Sequence, residues 1–178
     1  DLPALIVAPT SVVPNWRNEV ARFAPSLRVH VSHGLKRKDA LGQLAKNDLV
    51  ITSYPLLARD RHALMAQPFH LVILDEAQQI KNAQTQAANV VRALKSRHRL
   101  CLTGTPLENH LGELWSLFHF LMPGFLGDAT SFRRMYRTPI EKHDDAFRRA
   151  SLERRVRPFL LRRTKETVAS ELPKKTEV

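Results

Sequence analysis

The sequence predicts an α/β fold in which a parallel β-sheet is flanked by helices. Short apolar segments alternate with segments of helical spacing, at the intervals typical of strand–helix–strand units. One apolar segment, Leu71–Leu74, is an unbroken run within FHLVILDEAQQIKN at residues 69–82. Such a run is typical of a strand buried on both faces, as in a parallel sheet covered by helices.

The individual elements follow from the same two patterns, taken in chain order. A helix begins near Pro14, where a missing N–H is tolerated. In it Trp16, Val20 and Phe23 recur at i, i+4 and i+7, on the face expected to pack on the sheet. The other predicted strands are Leu5–Ala8, Arg28–Val31, Leu49–Thr52 and Arg99–Leu102, and the other predicted helices are Lys36–Lys46, Leu56–Met65, Ala83–Lys95 and Leu111–Leu121.

Composition indicates a globular domain with a basic extension. The 178 residues are 43% hydrophobic, enough for a sizeable core. The net charge is +11, and residues 128–178 carry 14 Lys and Arg against 8 Asp and Glu. We therefore expect a first domain over residues 1–127 and a helical, Arg-rich extension over residues 128–178. Such a basic excess favours a polyanion, nucleic acid first, over a solvated Arg-rich face or an acidic protein partner.

The sequence also excludes an internal disulfide and gives no indication of a membrane-spanning helix. No apolar run approaches the roughly 20 residues that a membrane-spanning helix needs, so no membrane contact is expected. The single cysteine, Cys101, excludes an internal disulfide and fits a reducing compartment.

Two adjacent carboxylates, Asp75 and Glu76, directly follow the apolar run Leu71–Leu74. Ligands of open α/β sheets bind at the carboxyl ends of the strands, and an acidic residue there is typical of a Walker B segment, whose Asp holds nucleotide-bound Mg²⁺. The neighbouring Glu could orient or deprotonate an attacking water. By itself the pattern is equally compatible with a strand that ends in an exposed acidic turn.

Small hydroxyl residues follow three other predicted strands. These segments are APTS at residues 8–11, TSY at 52–54 and TGTP at 103–106. Hydroxyl groups and free backbone N–H groups at such positions are good phosphate ligands, although Ser and Thr are also ordinary helix caps. Three such ends beside a candidate Walker B strand favour phosphate contacts.

The motifs together resemble those of the Swi/Snf-type ATPases, which belong to helicase superfamily two. The matching segments are APTSVVPNW, DLVITSY, LDEAQQIKN, LTGTPLENHLGELWSLFHFLMPGFLG and RPFLLRRTKETVASELPKKTE, in the family's order. The resemblance implies most of a first RecA-like lobe of a P-loop NTPase, in a protein that hydrolyses ATP to move along duplex DNA.

The resemblance implies roles for individual residues. Asp75 would bind Mg²⁺, and Glu76 would act on the hydrolytic water and lie beside the metal. Gln78, where many members have His, would couple nucleotide to DNA together with Thr103, Gly104 and Thr105. The residues implied to contact the DNA backbone are Pro9, Thr10, Ser11, Thr52, Ser53, Tyr54, Lys81, Asn82, Arg162 and Arg163.

One family motif, the Gly-rich loop ending in Gly-Lys-Thr, does not occur in these 178 residues. In the family it precedes the APTS strand, so we expect it upstream of Asp1. Without it nothing holds the β and γ phosphates, and we expect the 178 residues alone not to hydrolyse ATP. In the family, the strand that carries this loop lies beside the strand that corresponds to Arg99–Leu102. We therefore expect Arg99–Leu102 to pair with the Val72–Leu74 strand on one side and to have no strand on its other side.

The resemblance further implies ATP and Mg²⁺ as cofactors, a second RecA-like lobe in the same protein, and duplex DNA bound through its backbone with little sequence preference. The protein displaced on that DNA could be RNA polymerase or a nucleosome. The alternatives are a non-catalytic module that binds nucleic acid or RNA polymerase and, less well supported, an RNA helicase. We expect a location at the bacterial nucleoid in the cytoplasm, or in the nucleus if the source is eukaryotic.

Overall fold

The computed structural model describes residues 2–32, 42–104 and 111–163. The chain divides into two compact units, Asp1–Phe132 and Arg133–Val178. Within the described ranges, no helix has the length and apolar character needed to cross a membrane.

The first unit is built on a five-stranded sheet in the order β2-β3-β1-β4-β5. Each neighbouring pair is parallel, as the alternation of strands and helices predicted. The strands are β1 (Ala4–Ala8), β2 (Val29–Val31), β3 (Leu49–Ser53), β4 (Phe69–Leu74) and β5 (Ser96–Cys101).

Helices and short helical turns connect the strands. The α-helices of the first unit are α1 (Val13–Phe23), α2 (Tyr54–Arg59), α3 (Arg61–Ala66), α4 (Gln86–Ala93), α5 (Leu111–Leu121) and α6 (Ala129–Phe132). Short 3₁₀ turns cover Leu44–Lys46 and Ala77–Ile80.

The sheet has a larger and a smaller apolar face. Alternate residues of β1 face opposite sides, so Leu5 and Val7 join the larger cluster with α4 and α5 residues, while Ile6 and Ala8 join the smaller one. Helix α1 packs on the smaller face through Val13, Trp16 and Val20.

Two of the expected burials are wrong. Leu71 and Ile73 of β4 are only half-buried, whereas Val72 and Leu74 are completely buried. The run is therefore fully covered only on the larger face of the sheet. Phe23 is 71% exposed; it is the last residue of α1, and the Arg22 guanidinium lies 5.0 Å from the centre of its ring.

Three of the predicted helices have different bounds. The segment Leu56–Met65 forms two helices, α2 and α3, because the chain leaves helical geometry at Asp60 (φ −103°, ψ 12°). The helix expected over Ala83–Lys95 begins only at Gln86, where the Thr85 hydroxyl accepts a hydrogen bond from the Ala88 N–H. Of the segment Lys36–Lys46, the described part is helical only over Leu44–Lys46, and residues 36–41 lie outside the described ranges.

Strand β5 is an edge strand in the described part of the sheet. It pairs with β4 from Phe69↔Ser96 to Leu74↔Cys101 and has no strand on its other side. This confirms the pairing expected for a lobe whose loop-bearing strand is not among these residues.

Arg99 of β5 ties two helix ends to this edge. Its guanidinium donates to the carbonyl oxygens of Arg92 and Leu94 at the end of α4 and to that of Phe120 near the end of α5. It also lies 5.0 Å from the centre of the Phe120 ring. The last carbonyl groups of a helix lack hydrogen-bond partners within the helix. The Arg99 guanidinium supplies donors to such carbonyls at two helix ends, and its positive charge interacts favourably with the negative ends of both helix dipoles.

We predict that Arg99→Met lowers the free energy of unfolding by about 2–3 kcal/mol, since charge-assisted bonds to partly buried carbonyls are lost. Urea unfolding followed by circular dichroism measures the change. The matched control is Arg97→Met on the same strand, where the side chain is exposed and a change within about 0.5 kcal/mol is expected. Equal losses in the two variants would contradict the capping role.

The second unit is helical and basic in its described part, residues 133–163. A π-helical turn (Arg133–Arg137) leads into α7 (Thr138–His143) and α8 (Ala146–Val156), followed by a 3₁₀ turn (Arg157–Phe159). The side chains of Tyr136, Ile140, Leu152 and Val156 are buried. Asp145 caps α8 by accepting a hydrogen bond from the Arg148 N–H at 3.0 Å.

Candidate functional site

The carboxyl ends of four strands meet at one edge of the sheet. The register pairs Ala8 with Ser53, Val7 with Leu74, and Leu74 with Cys101. The residues that follow β1, β3, β4 and β5 are therefore neighbours along this edge. In the strand order, β2 lies to one side of β1, whereas β5 lies in the opposite direction from β4, so the chain connections after β1 and after β4 run in opposite directions. Such a reversal between adjacent strands is where ligands of open α/β sheets bind.

Asp75 lies at this reversal and is held at each of its polar groups. Its N–H donates to the Val7 carbonyl of β1 at 2.8 Å. Its Oδ2 accepts from the indole Nε1 of Trp16 at 2.8 Å, and its Oδ1 accepts from the Glu76 N–H at 2.9 Å. Each carboxylate oxygen can accept more than one hydrogen bond or ligand, so both retain capacity for a cation.

Tyr54 holds the backbone of the same residue. Its hydroxyl donates to the Asp75 carbonyl oxygen at 2.8 Å. Burial raises the pKa of Tyr54 well above its ordinary value, and the neighbouring Cys101, Asp75 and Glu76 raise it further. The phenol therefore stays protonated and acts as a donor at neutral pH.

Glu76 has left-handed backbone geometry, with φ 49° and ψ 53°. This region is unfavourable for a residue with a Cβ atom and costs of order 1 kcal/mol or more. It turns the chain sharply from β4 into the 3₁₀ turn Ala77–Ile80. The turn is anchored to the next strand end, since the Ala77 N–H donates to the Leu102 carbonyl at 2.9 Å.

A chain of hydrogen bonds connects Glu76 with the end of β5. The Gln78 Nε2 donates to Glu76 Oε2 at 2.6 Å, and the Thr103 hydroxyl donates to Gln78 Oε1 at 3.0 Å. A carboxylate can only accept, so it requires the amide N–H₂ of Gln78 to face it and leaves the amide oxygen for Thr103. The structure thus brings together the residues assigned to catalysis and two of those assigned to coupling.

The other residues assigned to coupling are less informative. Gly104 follows Thr103 directly, is exposed, and has open space where a Cβ atom would lie. Thr105 lies outside the described residues.

The hydroxyl segments differ in exposure. Thr10 and Ser11 are exposed and Pro9 is half-buried, at the start of the turn into α1. Thr52 and Ser53 are 1% and 4% exposed. The Thr52 hydroxyl has no hydrogen-bond partner in the described part of the protein. The DNA contacts assigned to these residues and to Tyr54 stay predictions. Thr10 and Ser11 are the more accessible of them, because Thr52, Ser53 and Tyr54 are buried within this unit.

The remaining residues assigned to DNA are exposed. Lys81 forms an ion pair with Glu113 at 3.6 Å, and Asn82 accepts from the Gln84 N–H at 3.0 Å. Arg162 and Arg163 are exposed in the second unit. Their contacts with DNA also stay predictions.

The donor set at the edge fits Mg²⁺. Magnesium prefers oxygen ligands and is usually bound by one or two carboxylates, substrate phosphates and water rather than by a full protein cage. Asp75 offers such a carboxylate in a fixed orientation, with Glu76 next to it. The described residues contain no group of three or more His, Cys, Asp and Glu that could hold a metal.

Sequence reasoning missed two contributors to this site. Trp16 was expected only to pack in the core, and Tyr54 only to contact DNA, yet both donate hydrogen bonds to Asp75. Both follow strands that lie on the same side of β4 in the sheet, β1 directly beside it and β3 next to β1. Only the strand order, which the sequence does not state, places them beside the acidic pair.

Known proteins resemble this chain over nearly its whole length. The family described as SNF2-related domain matches residues 2–178. The chain is 46% identical to the Bacillus subtilis protein YwqA, named as a candidate ATP-dependent helicase/translocase, across 98% of this chain and 20% of that protein. It is 40% identical to the TATA-binding protein-associated factor MOT1 of Saccharomyces cerevisiae, across 98% of this chain and 10% of that protein.

Solved structures give the same result. The Sulfolobus solfataricus SWI2/SNF2 ATPase core in complex with dsDNA has a TM-score of 0.87 and 41% identity, over 94% of this chain and 35% of that one. The same core described without DNA has a TM-score of 0.83 and 40% identity, over 96% of this chain and 35% of that one. The chain therefore spans about a third or less of the length of these relatives. The sheet order, the acidic pair and these matches together show that the chain belongs to the SNF2-related domain family and has the RecA-like ATPase-core fold.

Proposed function

We propose that the protein containing this chain is an ATP-dependent translocase on duplex DNA and that this chain supplies most of its first ATPase lobe. The observation that carries the proposal is the hydrogen-bonded series Asp75, Glu76, Gln78 and Thr103 at the carboxyl edge of the sheet. An acidic turn without a function would not need a left-handed Glu joined through an amide to the next strand end.

In this proposal Asp75 and Glu76 have separate tasks. Asp75 holds Mg²⁺ on the nucleotide, and the metal supplies neutralisation of charge on the phosphate oxygens. Glu76 accepts a proton from, or orients, the water that attacks the γ-phosphate. The sharp turn at Glu76 lets the two adjacent carboxylates take different directions from one strand end.

Gln78 and Thr103 link this chemistry to the rest of the lobe. Because Gln78 bonds to Glu76 on one side and to Thr103 on the other, displacement of the β5 end would move the Glu76 carboxylate. Contacts made beyond Thr103, with DNA or with a second lobe in the same protein, could in this way permit or prevent hydrolysis.

DNA would be held mainly through phosphates. This chain of 178 residues carries a net charge of +11. The residues assigned to DNA are mostly hydroxyl, amide and basic groups, of the kind that position a protein on a backbone without reading bases. One relative supports a DNA-bound protein as the object moved, since MOT1 is a TATA-binding protein-associated factor. RNA polymerase and the nucleosome are the two objects that we propose, at the nucleoid or in the nucleus.

The test is ATP hydrolysis by the full-length protein with and without duplex DNA. We expect turnover that depends on Mg²⁺ and rises severalfold or more with duplex of unrelated sequences, while the 178 residues alone give none because they contain no Gly-Lys-Thr loop. Turnover by the 178 residues that Glu76→Gln abolishes would contradict the requirement for that loop.

The second candidate is a non-catalytic module that binds nucleic acid or RNA polymerase and keeps the shape of the lobe. A full-length protein without a Gly-Lys-Thr loop would favour it. Nucleic-acid or polymerase binding by the full-length protein without any ATP hydrolysis would support this candidate and refute the translocase. The retention of both carboxylates in an organised hydrogen-bond series favours the translocase.

A further inference from the structure

Trp16 makes a contact that packing alone does not explain. Its indole belongs to the smaller apolar face of the sheet, together with Val20 and Ile73. Its Nε1–H nevertheless points at the Asp75 carboxylate, 59 residues further along the chain, and donates to Oδ2 at 2.8 Å. A partly buried tryptophan whose N–H donates to a carboxylate makes a charge-assisted hydrogen bond, the stronger class of such bonds.

We propose that Trp16 is a positioning residue for the metal ligand Asp75, which sets the orientation of its carboxylate for nucleotide-bound Mg²⁺. This inference rests on the proposed function, since it assumes that Asp75 binds the metal. It extends that function to a residue of α1 that has no role in the acidic motif itself.

The chemistry of the indole suits this task. Indole N–H is a donor only and carries no charge, so it can orient the carboxylate without ligating the metal or neutralising the carboxylate charge. It occupies one acceptor site of Oδ2, and the Glu76 N–H occupies one of Oδ1. The carboxylate plane is then fixed by two donors, and the remaining lone pairs have defined directions.

The surroundings make the indole a rigid support. Trp16 is the fourth residue of α1, which packs on β1 and β3 through Val13 and Val20. The backbone of Asp75 is held separately by Val7 and Tyr54. With the backbone already fixed, loss of the indole N–H would free the side-chain torsions of Asp75 alone. Partners that orient metal ligands in this way typically contribute 10- to 100-fold in metal affinity or activity.

The experiment is a titration of the full-length protein with Mn²⁺ in place of Mg²⁺, in the presence of a non-hydrolysable ATP analogue, with free Mn²⁺ measured by electron paramagnetic resonance. Trp16→Phe removes the N–H and is expected to raise the Mn²⁺ dissociation constant about 10-fold or more. The same is expected when Trp16 is replaced by 3-benzothienylalanine, which has a sulfur in place of the N–H and nearly the shape of tryptophan. If Trp16→Phe does not fold, the 3-benzothienylalanine variant is used to measure the effect of removing the N–H.

Trp115→Phe is the matched control. Trp115 also donates its indole N–H within the first unit, to the Gly127 carbonyl at 3.1 Å, so the control removes a comparable hydrogen bond away from the acidic pair. Its Mn²⁺ dissociation constant should equal that of the unaltered protein.

A double-mutant cycle with Asp75→Asn separates positioning from a general structural effect. If Trp16 acts through the carboxylate, Trp16→Phe has little further effect on Mn²⁺ affinity once Asp75 is Asn. An equal loss in both backgrounds, or unchanged affinity in Trp16→Phe, would overturn the positioning role and leave the proposed function standing. No binding of Mn²⁺ and nucleotide by the unaltered protein would instead refute the proposed function, and this inference with it.

Discussion

Replacement of Glu76 by Gln is expected to lower DNA-stimulated ATP turnover of the full-length protein by about 10²–10⁴-fold, the usual contribution of a positioned general base. The amide has the shape of the carboxylate but is not basic. Its oxygen can still accept the hydrogen bond from Gln78 Nε2, so the series to Thr103 should persist. The variant therefore removes the general base and keeps the hydrogen bonds from residue 76 through Gln78 to Thr103.

Steady-state turnover and nucleotide binding should be measured on the same Glu76→Gln preparation. We expect nucleotide affinity within about threefold of the unaltered protein, since Asp75 and the metal site remain. Glu19→Gln is the matched control, because Glu19 is an exposed carboxylate of α1 in the same unit and its loss should leave turnover unchanged. Turnover of Glu76→Gln within threefold of the unaltered protein would remove Glu76 from the mechanism.

Raising the salt concentration from about 50 to 200 mM is expected to weaken duplex-DNA binding by the full-length protein by about 10³-fold or more, if it contacts six or more phosphates as backbone-tracking proteins do. Each neutralised phosphate releases condensed counterions, so the logarithm of the affinity falls linearly with that of the salt concentration. The excess of Lys and Arg over Asp and Glu, 14 against 8 in residues 128–178, provides the charge for this effect.

The contribution of a single arginine to DNA binding can be measured as the change in this salt slope when that arginine is replaced. Arg163→Ala should make the slope shallower by about 0.9, the share of one phosphate contact on B-form DNA. Arg28→Ala is the matched control, because Arg28 already pairs with Asp48 at 2.8 Å and 3.0 Å, and its loss should leave the slope unchanged. Affinity that does not vary with salt, or that depends strongly on base sequence, would contradict binding through the backbone.

Patterns of consecutive residues predicted most of the sheet. Each of the five strands overlaps its predicted segment, because the segments alternate with stretches of helical spacing as they do in strand–helix–strand units. The edge position of β5 was also predicted, from the family's strand order. Helix bounds were less predictable. Asp60 interrupts one predicted helix, and Phe23 fits a helical stripe yet is exposed at its end, since periodicity does not say how far the covering surface extends.

The sequence alone determined the position of Asp75 and Glu76 after an apolar run, the hydroxyl groups at strand ends, the basic excess and the family. These features depend only on residue types and on their local order. The tertiary structure alone decided which groups touch. It placed the Trp16 indole and the Tyr54 hydroxyl on Asp75 and joined Glu76 through Gln78 to Thr103. These contacts depend on strand order and on register, which bring together residues up to 59 positions apart. A local pattern holds no information about such separations.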